Sequence, residues 1–159
     1  MVRSNIAVGT KRNRNSRHRV PLAQRRKARR LVLQALYQWL MADLDPKAIA
    51  KQFREETPGK VDWDYFEEVF LEIPNSTQKL DEFLAPLLDR DLAALDPIEK
   101  SLLYLGAFEL TNRIDVPYRV VINECVELAK VFGATDSHKY INGVLDKLAP
   151  TLRPAELLK

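Results

Sequence analysis

From residue 21 onward, apolar side chains recur at intervals of three and four residues, and this spacing constrains the fold more than any other feature. It is the period of an amphipathic α-helix, whereas a half-buried strand alternates apolar and polar residues. Such alternation is rare in this chain, and no Asn-Gly or Asp-Gly turn joins two alternating runs. The sequence therefore predicts an all-α protein.

Capping residues and prolines divide this pattern into about seven helices. The first predicted helix is Leu22–Ala42, the second runs from the Asp45-Pro46 cap to about Glu56, and the third runs from Asp62 or Asp64 to before Pro74. The fourth begins at Asn75 or Ser76 and bends at Pro86, and the fifth runs from Asp96-Pro97 to about Arg113. The sixth is about Tyr118–Phe132, and the last runs from about Asp136 to before Pro150. The fifth is apolar around most of its circumference, so we expect it to be the buried central helix. Gly133 is expected to be the C-terminal cap of the sixth.

Positive charge is concentrated at the start of the chain. Residues 1–30 hold eleven of the 25 Lys and Arg residues and no Asp or Glu, whereas residues 31–159 carry a net charge of −8. Residues 1–20 also lack apolar periodicity, so we interpret them as a flexible basic tail in front of a folded domain of residues 21–159. An organellar transit peptide is the alternative for the tail. The cationic start favours a polyanion, above all nucleic acid, as its partner.

Membrane and secreted classes fit the sequence poorly. No apolar run approaches the roughly 18 residues that a transmembrane helix needs. Cys125 is the single cysteine, so an internal disulfide cannot form, and the N-terminus lacks the apolar core of a secretory signal. We expect a cytoplasmic protein that does not enter a membrane.

The first helix offers a candidate RNA-binding face. Projected at 100° per residue, its core stripe separates from a second face that carries two arginines, an amide and an aromatic ring. This second face consists of Arg26, Arg30, Gln34 and Tyr37, and is flanked by Arg25, Lys27 and Arg29. Guanidinium groups bind phosphates and a phenol stacks on an unpaired base, which is the combination that recognises single-stranded RNA. The alternative is a solvated cationic face with Tyr37 packed on another helix.

A second candidate lies in the last helix, where Tyr140 falls at the edge of the apolar stripe beside Lys139. An aromatic ring next to ammonium groups can form another stacking platform, although a tyrosine at helical spacing is also a common core residue. Asp136 is expected to cap the same helix.

Catalytic chemistry has little support. Cys125 lies on an inward helix face, which disfavours a nucleophile pair with His138, and neither a phosphate-binding glycine loop nor zinc-ligand spacing is present. Glu109 falls in the apolar stripe of the fifth helix, which could indicate an acid with a tuned pKa, but such a residue is more often paired or caps a neighbouring helix end.

Three stretches together resemble the NusB family of bacterial transcription antitermination factors. They are Arg25-Arg26-Lys27-Ala28-Arg29 with Gln34-Ala35-Leu36-Tyr37, then Pro117 to Glu124 with Glu127-Leu128-Ala129-Lys130, and finally Asp136 to Lys147. Ile98-Glu99-Lys100 and Phe108-Glu109-Leu110 extend the likeness from about residue 22 to 153. Tyr140 stands where the family often has phenylalanine, and the tail before Pro21 is longer than the resemblance covers.

The resemblance implies two small helical subdomains, no enzymatic activity, no cofactor and no metal. It implies binding of the boxA element of ribosomal RNA leader transcripts jointly with NusE, a small-subunit ribosomal protein, within the RNA polymerase antitermination complex. Carried over by position, the RNA contacts are Arg25, Arg26, Lys27, Arg29, Gln34, Tyr37, Lys139 and Tyr140, to which the helix projection adds Arg30. Glu99 and Asp136 lie at or near the NusE contact. Two alternatives are an RNA-targeting helical region of a ribosomal RNA methyltransferase and a helical protein-interaction module whose basic arm aids solubility.

Overall fold

The computed structural model describes residues 20–157, so the predicted basic tail lies outside the described residues except for Val20. Within this range the chain forms eight α-helices and no strand, which confirms the predicted all-α class. The helices are α1 Leu22–Ala42, α2 Pro46–Glu56, α3 Trp63–Glu72, α4 Thr77–Leu84, α5 Pro97–Asn112, α6 Tyr118–Phe132, α7 Ser137–Leu152 and α8 Pro154–Leu157. Short 3₁₀ turns lie at Ile73–Asn75, Ala85–Leu87 and Leu92–Ala94.

Two groups of helices meet at α1. This helix packs against α2 and α3 on one side and against α5 on the other, while α5, α6 and α7 pack on one another. Every residue from 101 to 110 is buried, so α5 is the central helix, as predicted. The core is one continuous apolar cluster shared by both groups, and α1 is therefore held by both.

Three aspartates fix the helix starts that the sequence predicted. The Asp45 carboxylate accepts a hydrogen bond from the Lys47 backbone N–H at 3.2 Å, and the Asp62 carboxylate accepts one from Tyr65 at 3.2 Å. Asp96 accepts from Ile98 at 2.7 Å. Each bond satisfies a backbone donor that has no partner inside the helix.

The predicted end of the last helix before Pro150 is wrong, because α7 continues through this proline to Leu152. Proline lacks the N–H that would complete one helical hydrogen bond, but the residues that follow it gain other bonds. The Arg153 guanidinium donates to the carbonyl oxygens of Leu110 at 2.8 Å and Arg113 at 2.9 Å. Arg153 thus satisfies carbonyls at the end of α5 and holds the end of α7 in place.

Three smaller predictions have different outcomes. The predicted bend at Pro86 is wrong, because α4 ends at Leu84 and Pro86 lies in a separate 3₁₀ turn. Gly133 is the C-terminal cap of α6, as predicted, and its N–H donates to the Ala129 carbonyl at 2.8 Å. Its backbone is extended, and a Cβ atom there would lie 2.8 Å from the Ser137 Cβ. Asp136 occupies the N-cap position of α7, but its side chain makes no capping hydrogen bond, and its carboxylate lies 3.6 Å from the Lys139 ammonium group.

Candidate nucleic-acid interface

One face of α1 is open to solvent along the length of the helix, and it carries the four predicted residues Arg26, Arg30, Gln34 and Tyr37. The opposite face is buried through Ala28, Leu31, Val32, Leu33, Ala35 and Leu36. The Tyr37 residue is 39% exposed, so its ring is not part of the core. The projection of the sequence onto a helix therefore located this face correctly. Whether it binds RNA remains a prediction.

The flanking cations Arg25 and Lys27 are engaged inside the molecule. The Arg25 Nε donates to the Asp62 carboxylate at 2.7 Å, and the Lys27 ammonium group donates to the Pro58 carbonyl at 2.7 Å. Both bonds hold the segment between α2 and α3 against the start of α1. Arg25 and Lys27 are consequently less available to a ligand than the resemblance alone suggests.

Arg29 is buried, which disfavours its predicted place in the RNA-binding set. Its guanidinium donates to both oxygens of Glu109, at 2.9 and 3.0 Å, and its side chain is only 3% exposed. Burial alone would lower the pKa of Arg29, but the electrostatic contacts with Tyr65 and Glu109 outweigh it, so the pKa is raised and the group stays charged. The guanidinium is therefore largely shielded from a phosphate in solution. Its role is to balance the Glu109 charge in the core.

Glu124 on α6 connects this buried pair to the exposed face. One carboxylate oxygen accepts from the Arg26 Nε at 3.1 Å, and the other lies 3.5 Å from the Arg29 Nη1. Arg30 has neither a hydrogen bond nor an ion pair to any side chain within residues 20–157. The sequence showed Glu124 only as part of a family-like stretch and gave no sign of these contacts.

An open groove of about 440 Å³ runs between α1 and α6. Its lining combines the two arginines of α1 with carboxylates and apolar side chains of α6: Arg26, Arg30, Glu124, Glu127, Leu128, Val131 and Phe132. The arginine side can bind an anion and the apolar side can take a flat ring. An anionic phosphate and a flat base are both components of a nucleotide.

The second predicted locus, Lys139 and Tyr140, is also at the surface, but it is already partly occupied. The Arg90 guanidinium lies 4.4 Å from the centre of the Tyr140 ring and pairs with Asp89 at 2.9 Å. The Tyr140 hydroxyl is buried without a hydrogen-bond partner in the described residues, and burial together with Asp89 raises its pKa. Arg90 covers a ring face that a base would otherwise use. Arg90 lies in an irregular segment, and sequence periodicity gave no signal for it.

The two residues expected at the NusE contact differ in accessibility. The Glu99 side chain is 11% exposed and accepts a hydrogen bond from the Ser137 hydroxyl at 2.9 Å, with the Arg90 Nη1 4.0 Å away. Asp136, which precedes Ser137, has a side chain that is 76% exposed. The starts of α5 and α7 are therefore joined, and Asp136 presents its carboxylate beside that junction. Contact of either residue with a partner remains a prediction.

Cys125 is fully buried, and its thiol lies 3.8 Å from the Leu102 carbonyl oxygen. Burial raises the pKa of this thiol above its ordinary value, so the thiol stays protonated and unreactive at physiological pH. No cluster of metal-ligating side chains occurs among residues 20–157. Within the same range, no helix is both long enough and apolar enough to span a bilayer.

Fold and surface together define a small all-helical protein that presents a cationic helix face. The sequence profile of the NusB family matches residues 26–150. The Transcription antitermination protein NusB of Hahella chejuensis is 53% identical over 137 residues, covering 86% of this chain and 92% of the relative. The Transcription antitermination protein NusB of Pseudomonas entomophila is 56% identical over 136 residues, covering 85% of this chain and 82% of the relative. The chain therefore belongs to the NusB family; its function is transcription antitermination, and it is not an enzyme.

Solved structures agree with this assignment. The chain is similar to T. maritima NusB, with a TM-score of 0.75 and 25% identity over 88% of this chain and 99% of that chain. A crystal structure of the antitermination factors NusB and NusE in complex with dsRNA gives a TM-score of 0.74 at 22% identity, over 82% of this chain and 99% of that chain. This similarity supports the assignment of the fold. The methyltransferase alternative gains no support from these relatives.

Proposed function

We propose that this protein acts in the cytoplasm by binding the boxA element of ribosomal RNA leader transcripts through the exposed face of α1. In this proposal it binds RNA jointly with NusE, within the RNA polymerase antitermination complex. The observation that carries the proposal is the alignment of Arg26, Arg30, Gln34 and Tyr37 on one solvent-facing stripe of a helix whose other side is locked in the core. The solved complex of a NusB with NusE and dsRNA supports the same pairing of partners.

The stripe has the dimensions and chemistry of a short single-strand site. A helix rises about 1.5 Å per residue, so Arg26 and Tyr37 are separated by about 16 Å along the axis. At a strand spacing of about 3.4 Å per nucleotide, this length matches about five nucleotides. Arg26 and Arg30 would bind phosphates, Gln34 can pair with a base edge, and Tyr37 can stack on an exposed base.

Charge also supports a separate site for NusE. Residues 31–159 carry a net charge of −8, which complements a basic ribosomal protein. Asp136 is the more accessible of the two predicted contacts, whereas Glu99 is largely covered by Ser137 and Arg90. In this proposal RNA binds along α1, and NusE docks at the start of α7, where Asp136 lies 3.6 Å from the predicted RNA contact Lys139.

The test is a fluorescence-anisotropy titration of a labelled boxA-like RNA and a scrambled RNA, each with and without NusE. We expect the pair to bind boxA-like RNA more tightly than this protein alone and more tightly than it binds the scrambled sequence. The variant R26E/R30E should lose binding, and its loss should exceed that of Tyr140→Ala.

A matched control is K47E/K51E, which reverses two exposed charges on α2, away from the α1 stripe. This control should bind RNA nearly as well as the unaltered protein. Equal affinity for boxA-like and scrambled RNA in the presence of NusE would refute sequence-directed binding. Equal losses in the two double variants would refute the location of the site on α1.

A further inference from the structure

The Arg26 side chain is held at one point only. Within residues 20–157 its single side-chain hydrogen bond runs from Nε to the Glu124 carboxylate, at 3.1 Å, and the side chain is 59% exposed. Nε is the inner donor of the guanidinium, so the two Nη groups at the outer end keep four N–H donors for a ligand. These are the donors that bind two oxygens of a phosphate in parallel.

Glu124 is itself held by a contact with the buried Arg29. Its side chain is 14% exposed, and its second oxygen lies 3.5 Å from the Nη1 of Arg29. Arg29 is fixed in turn by two hydrogen bonds to Glu109, which is fully buried on α5. A line of alternating charges thus leads from the central helix to the surface and ends at Arg26.

We propose that Glu124 is a positioning residue for RNA binding, which orients Arg26 so that its outer edge can bind a backbone phosphate. This inference rests on the proposed function, because the ligand is the phosphodiester of the same RNA. An arginine on a free helix surface loses rotamer freedom when it binds, and this lowers affinity. Arg26 has lost much of that freedom before RNA arrives, because Glu124 already holds its Nε.

The carboxylate also has an opposing effect, since its negative charge repels phosphate. The two effects are separable by substitution. Glu124→Gln removes the charge and keeps an oxygen that accepts from Arg26 Nε, whereas Glu124→Ala removes both. The difference between these two variants therefore excludes the charge and reports the contacts that the side-chain oxygens make.

The experiment is anisotropy titration of the boxA-like RNA with the full chain in the presence of NusE. We expect Glu124→Gln to bind at least as tightly as the unaltered protein and Glu124→Ala to bind about threefold more weakly than Glu124→Gln, which is the typical cost of ordering one long side chain. Arg26→Ala should bind about tenfold more weakly than the unaltered protein, because it loses a charge-assisted bond. Thermal unfolding of each variant shows that the comparison is made between folded proteins.

Arg30 provides the matched control, because it lines the same groove and makes no bond to Glu124. Once Arg26 is alanine, Glu124 has nothing left to position, so the step from Glu124→Gln to Glu124→Ala should no longer change affinity. In the Arg30→Ala background the same step should still cost about threefold. A purely structural role of Glu124 would give the same cost in both backgrounds.

The inference is overturned if Glu124→Ala binds as tightly as Glu124→Gln, or if the threefold step persists in the Arg26→Ala background. Both results leave the proposed function intact, because the unaltered protein still binds. Failure of the unaltered protein to prefer boxA-like RNA overturns the proposed function itself. The two failures are therefore distinguishable within one set of titrations.

Discussion

Replacing Arg29 by methionine tests whether this arginine belongs to the core or to the RNA-binding set. Arg29→Met keeps much of the side-chain volume but leaves the Glu109 carboxylate without its bidentate partner at a position with no solvent exposure. Removing one member of a buried ion pair typically costs about 3–5 kcal/mol. A domain is stable by only about 5–15 kcal/mol in total, so this single change should remove a large fraction of the free energy of unfolding.

Urea denaturation followed by circular dichroism measures this loss. With a slope of about 2 kcal/mol per molar urea, a loss of about 4 kcal/mol lowers the unfolding midpoint by about 2 M. The double variant R29M/E109L should recover most of the loss, because exchanging a whole buried pair for apolar residues is often neutral or stabilising. A midpoint shift below about 0.5 M for Arg29→Met would match an exposed ion pair and would refute the buried one.

RNA binding gives a second readout for the same variant. Because Arg29 contacts no phosphate, the dependence of RNA affinity on salt concentration should be unchanged in Arg29→Met under conditions where it is folded. A reduced salt dependence would show that Arg29 does reach the RNA backbone.

Three further predictions follow from the structure. Cys125 should react with a thiol reagent only as fast as the protein unfolds, because the thiol is buried and its pKa is raised; rapid labelling of the native protein would contradict this. Gly143→Ala should raise the free energy of unfolding by up to about 1 kcal/mol, because open space surrounds its Cβ position in α7. Gly133→Ala should lower the free energy of unfolding by about 1–3 kcal/mol, because the new Cβ atom would contact the backbone. Denaturation curves that rank the two variants the other way would contradict this. The Arg113 hydrogen bond lowers the pKa of Asp115, so the ionised carboxylate stabilises the fold above its unfolded pKa of about 4. This contribution is lost as the pH falls through the lowered pKa of the folded state. The difference in free energy of unfolding between Asp115→Asn and the unaltered protein should therefore be largest at about pH 6 and shrink as the pH falls below about 4, and a constant difference would contradict this.

Local sequence patterns were sufficient to predict most helices and the exposed stripe of α1. Asp45, Asp62 and Asp96 act on the backbone N–H groups that follow them within two or three residues, so their capping role is visible without knowledge of the fold. The spacing of apolar residues in α1 is likewise a local property, and it placed Arg26 and Arg30 on the face away from the core. Both kinds of inference depend on residues within one helix.

Contacts between distant segments could not be predicted in this way. Arg29 and Glu109 are 80 residues apart, so the sequence showed one cation among many and one carboxylate on an apolar stripe. A carboxylate inside the central helix does require a partner, but nothing in the sequence identified Arg29 as that partner. No comparable signal existed for Arg90 over Tyr140, or for Arg153, whose hydrogen bonds to α5 allow α7 to continue past Pro150.

The most direct test of the central claim is the salt dependence of RNA affinity for the unaltered protein and for R26A/R30A, measured on the full chain. The remaining basic residues are present in both proteins, so the difference reports only the exposed face of α1. Two lost phosphate contacts should reduce the slope of log affinity against log salt by about 1.4 for single-stranded RNA. An unchanged slope would mean that the α1 stripe does not hold the RNA backbone.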